Sequence, residues 1–396
     1  MRRRPVVALL VETSNAYARG LVEGIVGYVR KHDAWSLYLP ELRRGEVPTD
    51  WSTRWKGDGI IARIENAKTA EAVARTRLPI VDVSAARLLP NVPWVETDDD
   101  AIVRAAFEHL RERGFRSFAY CGDPRFNWSR WREERFVQLA AAGGARCDVF
   151  RTNATTRRGS SWTEEHRRLC DWVRALAKPV GILACYDIQA QRLLDACREA
   201  DVAVPEAAAV LGVDDDRLLC DLCTPSLSSV QPDTYRTGYQ AAELLDRQLR
   251  GESVDAGGYR IPPRGIAVRQ STDVSAINDP AIAEAIRFIR EHACDGVNAT
   301  DVFRRSGLSR RVFEARFQKT VGRTPHEEIL RIKLERVQRL LTETSLTLTE
   351  IADRTAFLHV EYLSVAFKRV VGVSPSRYRA EPHGERKPAL IAATTH

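Results

Sequence analysis

Hydrophobic positions in the first 273 residues follow two alternating patterns. Short runs of mostly β-branched apolar residues predict buried strands at residues 6–11, 59–64, 80–83, 117–121, 181–185 and 209–213. Between them, apolar residues recur at helical spacing over residues 17–31, 69–76, 102–113, 128–142, 163–177 and 188–200. Buried strands separated by amphipathic helices are typical of βαβ units around a parallel sheet. Because the pattern runs through two sets of strands, it predicts a two-lobed α/β domain over residues 1–273.

Beyond residue 273 the pattern becomes entirely helical. Asp279-Pro280 has the form of a helix start, because aspartate caps a first turn and proline fits its first position. Helical periodicity then continues to Arg379, which predicts an all-α domain over residues 274–379. Residues 380–396 show no such periodicity, and we expect a disordered tail there.

One helical pattern occurs twice in this region. Residues 301–317 read as helix, turn and helix, with Gly307 at the turn and Ser309 as the N-cap of the second helix. The apolar side of that helix is expected to contain Val312, Phe313 and Phe317. Residues 350–367 repeat the arrangement, with residues 356–358 at the turn.

The two copies differ in length by one residue. Val302 and Ile351 are 49 positions apart, whereas Phe317 and Phe367 are 50 apart. The second copy therefore has one extra residue between its turn and its second helix. A single helix over residues 325–341 joins the copies.

Two helix-turn-helix units on one linking helix can place two recognition helices in successive major grooves, about 34 Å apart on one face of B-DNA. The positions expected to contact DNA lie opposite the buried side of each recognition helix or on the linking helix. In the first copy and the linking helix they are Ser309, Arg310, Arg311, Glu314, Ala315, Gln318 and Lys333. In the second copy they are Val360, Glu361, Ser364, Val365, Lys368 and Arg369.

The stretch "IADRTAFLHVEYLSVAFKRVVGVSPSRYR" makes residues 274–379 resemble an AraC/XylS-type DNA-binding domain. Two positions depart from that family. Ala356 stands where the family usually has glycine, which predicts backbone strain at the second turn. Leu363 replaces a common phenylalanine, a change that a core tolerates.

The charge distribution agrees with a polyanionic partner. The whole chain has a net charge of +7, of which +5 lies in residues 274–396. Residues 304–323 contain seven basic residues and one acidic residue, Glu314. Such an excess suits double-stranded DNA, although a solvated helix face has the same composition.

Composition excludes several other classes of protein. Eight cysteines are scattered, and the C-x-x-C of Cys220 and Cys223 has no second pair at zinc spacing, so we expect no metal site and reduced thiols. Motifs for nucleophilic, phosphate-binding or zinc-dependent catalysis do not occur, so we expect neither an enzyme nor a cofactor. No secretory signal and no membrane-spanning run are found, which favours a cytoplasmic location.

The first 273 residues resemble the sugar-sensing core of LacI/GalR-type repressors, which is similar to periplasmic sugar-binding proteins. The segments that carry the resemblance are "VVALLVETSNAYARGLVEGIVGYVR", "GILACYD", "VLGVDDD" and "SSVQPDTYRTGYQAAELLDRQL". Such a core followed by an AraC-type domain is the arrangement of the XylR-type family of xylose-responsive regulators. The resemblance implies a sugar bound between two lobes.

The resemblance also implies the ligand-binding positions. They are Asp187 and Asp214, which each follow a strand, one of Arg130, Arg132 and Arg135, and Ser14, Asn15, Tyr17 and Arg19 after the first strand. Carboxylates, guanidinium groups and an aromatic face are what a sugar site needs. Alternatively, the two aspartates cap helices, the arginines form a solvated helix face and the tyrosine only packs.

These features indicate a DNA-binding transcriptional regulator, an activator rather than a repressor, controlled by a small sugar. Its expected partners are operator DNA, the sugar, RNA polymerase and a second copy of the chain, with no membrane. A dimer surface is expected around residues 69–76 and 80–83. Two alternatives remain at this point: a vestigial core that only dimerises, and a carbohydrate-processing enzyme.

Overall fold

The computed structural model describes residues 3–32, 35–41, 55–153, 162–273 and 279–380. The chain divides into two compact units, Met1–Ala276 and Ile277–His396. Of the predicted tail, residues 381–396 lie outside the described residues. The first unit contains two α/β lobes and the second is helical, so the predicted fold class is confirmed.

The first lobe is built on a six-stranded parallel sheet. Its strands are β1 (Val6–Leu10), β2 (Ser36–Tyr38), β3 (Gly59–Ala62), β4 (Ile80–Asp82), β5 (Trp94–Thr97) and β11 (Gly258–Ile261). They lie in the order β11-β5-β4-β3-β1-β2. The helices of this lobe are α1 (Ala16–Lys31), α2 (Ala67–Ala74) and α8 (Thr234–Leu249).

Two of these helices approach each other closely because a glycine of each faces the backbone of the other. A Cβ atom added to Gly24 of α1 would lie 2.0 Å from the carbonyl oxygen of Tyr235 in α8. A Cβ atom added to Gly238 of α8 would lie 2.0 Å from the carbonyl oxygen of Leu21 in α1. The close packing fixes α8 against the first lobe, although α8 follows the second lobe in the chain.

The second lobe has a six-stranded sheet covered by helices on both faces. Its strands are β6 (Ser117–Gly122), β7 (Cys147–Arg151), β8 (Val180–Ala184), β9 (Ala208–Val213), β10 (Ser228–Gln231) and β12 (Gly265–Ala267). Their order is β12-β10-β9-β8-β6-β7, and β12 pairs antiparallel with β10 while the other pairs are parallel. The helices are α3 (Asp99–Glu112), α4 (Asn127–Ala142), α5 (Trp162–Ala175), α6 (Asp187–Glu199) and α7 (Arg217–Leu222).

The chain crosses between the lobes three times. The crossings follow β5, β10 and β11, so each sheet contains strands from distant parts of the sequence. In open parallel sheets, ligands bind beyond the carboxyl ends of the strands. The cleft between the lobes is therefore bordered by the segments that follow β1, β3, β5, β8 and β9.

The second unit consists of seven α-helices in its described part. They are α9 (Pro280–His292), α10 (Ala299–Arg305), α11 (Arg310–Val321), α12 (Pro325–Glu343), α13 (Leu348–Arg354), α14 (Val360–Val371) and α15 (Pro375–Ala380). Asp279 caps α9 as expected, by accepting a hydrogen bond from the backbone N–H of Ala281. Phe313 and Phe317 are buried, but Val312 is 40% exposed, so its assignment to the apolar side was wrong.

The two helix-turn-helix units differ at their turns as the spacing predicted. Gly307 and Ala356 both adopt left-handed backbone conformations, with φ values of +65° and +51°. One residue, Leu308, separates Gly307 from the N-cap of α11, whereas Phe357 and Leu358 separate Ala356 from the N-cap of α14. Phe357 is buried, whereas Leu358 is exposed.

Candidate ligand-binding cleft and DNA-binding face

A cavity of about 490 Å³ lies between the two lobes of the first unit. This volume is within the range of small-molecule sites. Seven sequence-predicted residues line it: Ser14, Asn15, Tyr17, Arg19, Arg132, Asp187 and Asp214. Arg130 and Arg135 do not line it. The cavity also has lining residues that the sequence did not indicate, including Arg63, Glu96, Thr97, Asp99, Tyr186 and Asp216.

Arg63 is the main polar group on the first-lobe side. It follows β3 and forms ion pairs with Glu12 and Glu65, and its side chain is 9% exposed. Its guanidinium lies 5.4 Å from the ring centroid of Tyr17. Burial lowers the pKa of Arg63, but the two carboxylates outweigh that effect and raise it overall, so the cation is held in place. Its position after a strand was the available signal in the sequence.

Arg132 is the arginine of the segment "WSRWREERF" that enters the cleft. Its Nε donates to Asp99 at 2.6 Å, and its Nη1 donates to the carbonyl oxygen of Cys185 at 2.6 Å. Arg130 instead contacts Asn127, and Arg135 pairs with Asp100. Burial raises the pKa of Asp99, and the charge of Arg132 opposes that rise.

Asp187 lies at the floor of the cleft and is fully enclosed. It is the first residue of α6, and its carboxylate accepts hydrogen bonds from the Ser229 hydroxyl at 2.7 Å and the Asp216 backbone N–H at 2.8 Å. Tyr186 occupies the N-cap position of α6. Burial and the nearby charge of Asp214 raise the pKa of Asp187. The carboxylate therefore ties α6 to the segment after β9, besides lining the cleft.

Asp214 lies in a strained segment directly after β9. Its φ value is +116° and that of Asp215 is +49°, conformations that are rarely populated by residues other than glycine. The N-cap of the following helix α7 is Asp216, so helix capping does not account for Asp214. Strain of this kind is found at ligand sites, where the surrounding structure maintains it.

Glu96 gives the cleft a carboxyl group that titrates near neutral pH. It lies at the end of β5, is 6% exposed, and accepts a hydrogen bond from Arg87 at 3.0 Å. Burial, followed by the charge of Asp99, raises the pKa of Glu96 to about 7. Glu96 was not predicted from the sequence, because "WVETDDD" has no run of apolar residues that predicts a strand.

The chemistry of the cleft suits a neutral, hydroxyl-rich ligand. Three arginines and five acidic residues line it, so it offers many hydrogen-bonding groups without a positive excess that would select an anion. Trp128 and Tyr17 add aromatic surface, and Trp128 is stacked on Phe126 at 4.9 Å between ring centroids. Groups from both lobes line the same space, so a ligand can contact both.

The second unit exposes most of the predicted DNA-contacting residues. In and beside α11 these are Ser309, Arg310, Arg311, Glu314, Ala315 and Gln318. In α14, Glu361, Val365, Lys368 and Arg369 are exposed, whereas Val360 and Ser364 are half-buried. Ser309 occupies the N-cap position of α11 without a side-chain capping bond. The Arg310 guanidinium pairs with Glu314 at 2.9 Å on the same face.

Lys333 does not belong to this exposed face. It is half-buried, and its ammonium donates to the carbonyl oxygen of Ala356 at 2.8 Å. The same group lies 5.4 Å from the ring centroid of Phe357, and burial lowers the pKa of Lys333. These contacts place Lys333 between α12 and the second turn, and its contact with DNA stays a prediction.

The cysteine pair of the C-x-x-C is engaged in local contacts. The Cys220 thiol donates to the Asp187 carboxylate at 3.5 Å, and the Cys223 thiol donates to the Leu219 carbonyl oxygen at 3.2 Å. Burial raises the pKa of both thiols. Within the described ranges, potential metal ligands cluster at His166, Cys170 and Glu199, where His166 and Glu199 contact each other at 2.7 Å.

Among the described residues, no helix combines the length and apolar character needed to cross a bilayer.

Family models match almost the whole chain. A model of the XylR N-terminal domain matches residues 6–100, one of a periplasmic binding protein-like domain matches residues 107–272, and one of a helix-turn-helix domain matches residues 302–381. The lobes and the duplicated helical motif described above occupy these three regions.

Individual relatives share the same arrangement from end to end. The chain is 34% identical to the xylose operon regulatory protein of Escherichia coli (strain K12) over 385 residues, 95% of this chain and 97% of that protein. Its identity to the xylose operon regulatory protein of Haemophilus influenzae is 32% over 381 residues, 94% and 97% of the two chains.

Solved structures agree. The fold matches a structure of the xylose-binding transcription activator xylR with a TM-score of 0.81 and 34% identity, covering 96% of this chain and 98% of that chain. A cellobiose complex of the transcriptional regulator CelR, 21% identical, covers 68% of this chain and 86% of that chain with a TM-score of 0.56 and shares the fold. The chain belongs to the family of xylose operon regulatory proteins, which are sugar-responsive transcription regulators with an AraC-type DNA-binding domain.

Proposed function

We propose that this chain changes its affinity for operator DNA when xylose or a closely related monosaccharide binds between its lobes. One observation carries the proposal: seven predicted residues from distant parts of the sequence line a single cleft. The names of the similar proteins, a xylose operon regulatory protein and a xylose-binding activator, support xylose as the first sugar to test. The arrangement of hydrogen-bonding groups supports a neutral polyol.

Calorimetric titration of the intact chain against a panel of pentoses and hexoses tests this assignment. We expect one monosaccharide to bind and to change operator affinity. Asp214→Ala should abolish that response and leave sugar-free DNA binding intact, because the helix-turn-helix units are unchanged. Arg130→Ala is the matched control, since Arg130 does not line the cavity. A wild-type response in Asp214→Ala would remove Asp214 from the site.

The same titration separates a sensor from a vestigial core. If no sugar of the panel binds wild-type protein, the first unit serves assembly alone. We further propose that the cleft binds its ligand without transforming it, because the end-to-end relatives are named as regulators. Recovery of the unchanged sugar after prolonged incubation is the expected result.

We propose that α11 and α14 are the recognition helices, with α11 supplying most of the cationic contacts. Arg311→Ala should weaken operator binding by about 1–3 kcal/mol and relax the preference at one base pair. Arg304→Ala is a control on the neighbouring helix α10, where Arg304 is exposed and paired with Asp301 at 3.6 Å. Unchanged affinity and preference in Arg311→Ala would contradict this placement.

We also propose a homodimer that recruits RNA polymerase as an activator, in the cytoplasm where bacterial operator DNA lies. Of the surface expected from the sequence, the strand residues Ile80 and Val81 are buried and do not contribute. Leu222 of α7 is 66% exposed and does not line the cavity, unlike its neighbour Leu218, so it supports α7 as the apolar contact. Leu222→Asp should shift the sedimentation coefficient toward that of a monomer, and a wild-type that sediments as a monomer at micromolar concentration contradicts the dimer.

A further inference from the structure

The second recognition helix presents a larger apolar surface than the first. Leu358, just before α14, is 92% exposed, and Tyr362 and Val365 within α14 are 48% and 65% exposed. Leu363 and Phe367 on the opposite side of the helix are buried. The exposed apolar side chains therefore share the outward face with Glu361.

The corresponding face of α11 has different chemistry. At an offset of 50, Arg311 corresponds to Glu361, the 40% exposed Val312 to Tyr362, and Ala315 to Val365. The larger apolar residue is thus found on the second helix, and the guanidinium on the first. The two helices have the same length and the same left-handed C-terminal glycine, at residues 322 and 372. The two recognition helices therefore differ in surface chemistry and not in length or in how they end.

Phe357 and Leu358 stand where the first unit has Leu308 alone, so the extra residue of the second unit lies at this point. The insertion places a leucine directly before the N-terminal end of the recognition helix, the end that approaches base edges in helix-turn-helix complexes. Leu358 is the most exposed of the large hydrophobic residues in the described ranges. The adjacent Phe357 is buried and lies 5.9 Å from Tyr362 between ring centroids, so the base of this surface is held in place.

We infer that the second recognition helix reads the 5-methyl groups of thymine in the major groove through Leu358, Tyr362 and Val365. This inference rests on the proposed role of α14 as a recognition helix. The thymine methyl is the apolar group that the major groove offers, and apolar side chains contact it. The operator half bound by the second unit is therefore rich in A·T pairs, while the half bound by α11 contains guanines read by arginine.

The surroundings of this surface favour DNA over a protein partner. Lys368 and Arg369 are exposed on the same helix, and Arg377 follows on α15. Cations that flank an apolar strip match a groove in which phosphates border the bases. An exposed leucine and valine also lose unfavourable hydration when methyl groups cover them.

The experiment removes single methyl groups from the DNA. An operator is first selected from random duplexes by the intact chain, and the positions whose preference changes in Arg311→Ala are assigned to the first unit. Thymines in the remaining half are then replaced one at a time by deoxyuridine, which keeps base pairing and lacks the methyl group. Replacement of a contacted thymine should lower the affinity of the protein for the duplex about fourfold. Deoxyuridine in the half assigned to α11 is the matched DNA control.

Protein variants combined with the DNA replacements make a double-mutant cycle. Val365→Ala and Leu358→Ala should each weaken binding to thymine-containing DNA. In each variant, deoxyuridine at the thymine that the missing side chain contacts should cause no further loss of affinity. Both positions are exposed, so the fold is preserved, and circular dichroism verifies this. If wild-type affinity is the same for thymine and deoxyuridine in every position of that half, the inference is overturned.

Two further outcomes are distinguishable. Loss of transcription activation in Val365→Ala with unchanged DNA affinity would overturn the inference in favour of a protein partner. Failure of the intact chain to select any duplex would instead contradict the proposed function itself.

Discussion

Ala356 lies in a backbone conformation that favours glycine. Its φ value of +51° matches the +65° of Gly307 at the corresponding turn of the first unit. For a residue with a Cβ atom this conformation costs about 1–2 kcal/mol, because Cβ approaches the following carbonyl oxygen. The second turn therefore has strain that the first does not, as the departure from the family pattern predicted.

Replacing Ala356 by glycine should relieve this strain. The extra backbone entropy of glycine in the unfolded chain offsets part of the gain, which leaves about 0.5–1 kcal/mol of stabilisation. Amide hydrogen exchange in α13 and α14 of the intact chain should slow accordingly. Gly307→Ala is the converse variant and should speed exchange in α10 and α11. Faster exchange in Ala356→Gly than in wild type would contradict this account.

His109 makes the stability of the first unit depend on pH. It is 7% exposed and contacts the Thr272 hydroxyl at 2.8 Å through Nε2. Burial, aided by Arg113, lowers the pKa of His109 from 6.5 to about 3. Between those values the unfolded chain binds a proton that the folded protein does not, so stability is lost as pH falls from 6.5 toward 3.

We expect His109→Gln to flatten this dependence. From pH 7.5 to pH 5 the free energy of unfolding of wild type should fall by about 2 kcal/mol relative to the variant. Urea unfolding followed by tryptophan fluorescence measures this quantity for the first unit alone, because all eight tryptophans lie at or before residue 172. Carboxyl groups contribute equally to the pH dependence of both proteins, so their contribution cancels when the two free energies of unfolding are subtracted. Equal pH slopes would show that His109 titrates normally.

At the scale of elements, Lys333 connects α12 to the turn of the second helix-turn-helix unit. Its ammonium bonds the carbonyl oxygen of the strained Ala356 at 2.8 Å. The hydrophobic side of α12 packs on α13 and α14 through Leu334 and Val337. A polar tie and an apolar contact together fix the orientation of the second recognition helix.

Lys333→Met tests whether this lysine acts through packing or through DNA. The change keeps the apolar stem and removes the charged hydrogen bond, so hydrogen exchange at the second turn should speed up. Operator affinity should fall about threefold to tenfold, the equivalent of one hydrogen bond. Its salt dependence should stay the same, whereas loss of a phosphate contact would lower the slope by about one. Arg336 is exposed on the same helix, so Arg336→Met is the control and should leave hydrogen exchange at the second turn unchanged.

At the scale of the whole first unit, contacts across the cleft bear on ligand affinity. Arg87 of the first lobe lies 3.9 Å from the ring centroid of Trp94 and 4.7 Å from that of Trp131 in the second lobe. Arg19 and Asp216 form a second cross-lobe pair at 3.7 Å. Contacts made only when the lobes are close favour the arrangement in which a ligand touches both.

Trp131→Ala should weaken binding of the effector sugar about fivefold, since one partly exposed cation–π contact contributes about 1 kcal/mol. Trp131 does not line the cavity, so direct contact with the ligand is unchanged. Trp162→Ala is the control, because Trp162 is exposed on α5. Calorimetry with the sugar identified above gives the ratio of the dissociation constants of Trp131→Ala and wild type. Equal affinities would argue against a contribution of the cross-lobe contact to sugar binding.

Features that repeat or continue over many residues follow from the amino-acid sequence alone. Runs of apolar residues predicted strands β1, β3, β4, β6, β8 and β9, because both faces of a parallel sheet exclude water. The duplicated motif predicted both recognition helices and one extra residue between the second turn and its helix, and the resemblance to AraC-type domains predicted the strain at Ala356. The hydrophobic pattern did not predict the short or partly polar strands β2, β5, β7, β10, β11 and β12, because their pairing depends on neighbours that are distant in sequence.

The contacts between side chains that are distant in sequence follow only from the tertiary structure. Arg130, Arg132 and Arg135 share one helix, and helical phase together with Asp99 selects Arg132 for the cleft. Arg63 and Glu96 join the site because β3 and β5 end beside it, a consequence of strand order that no local pattern contains. Lys333 has the charge of a DNA contact, yet the fold places its ammonium 2.8 Å from the carbonyl oxygen of Ala356, a contact that no local pattern contains.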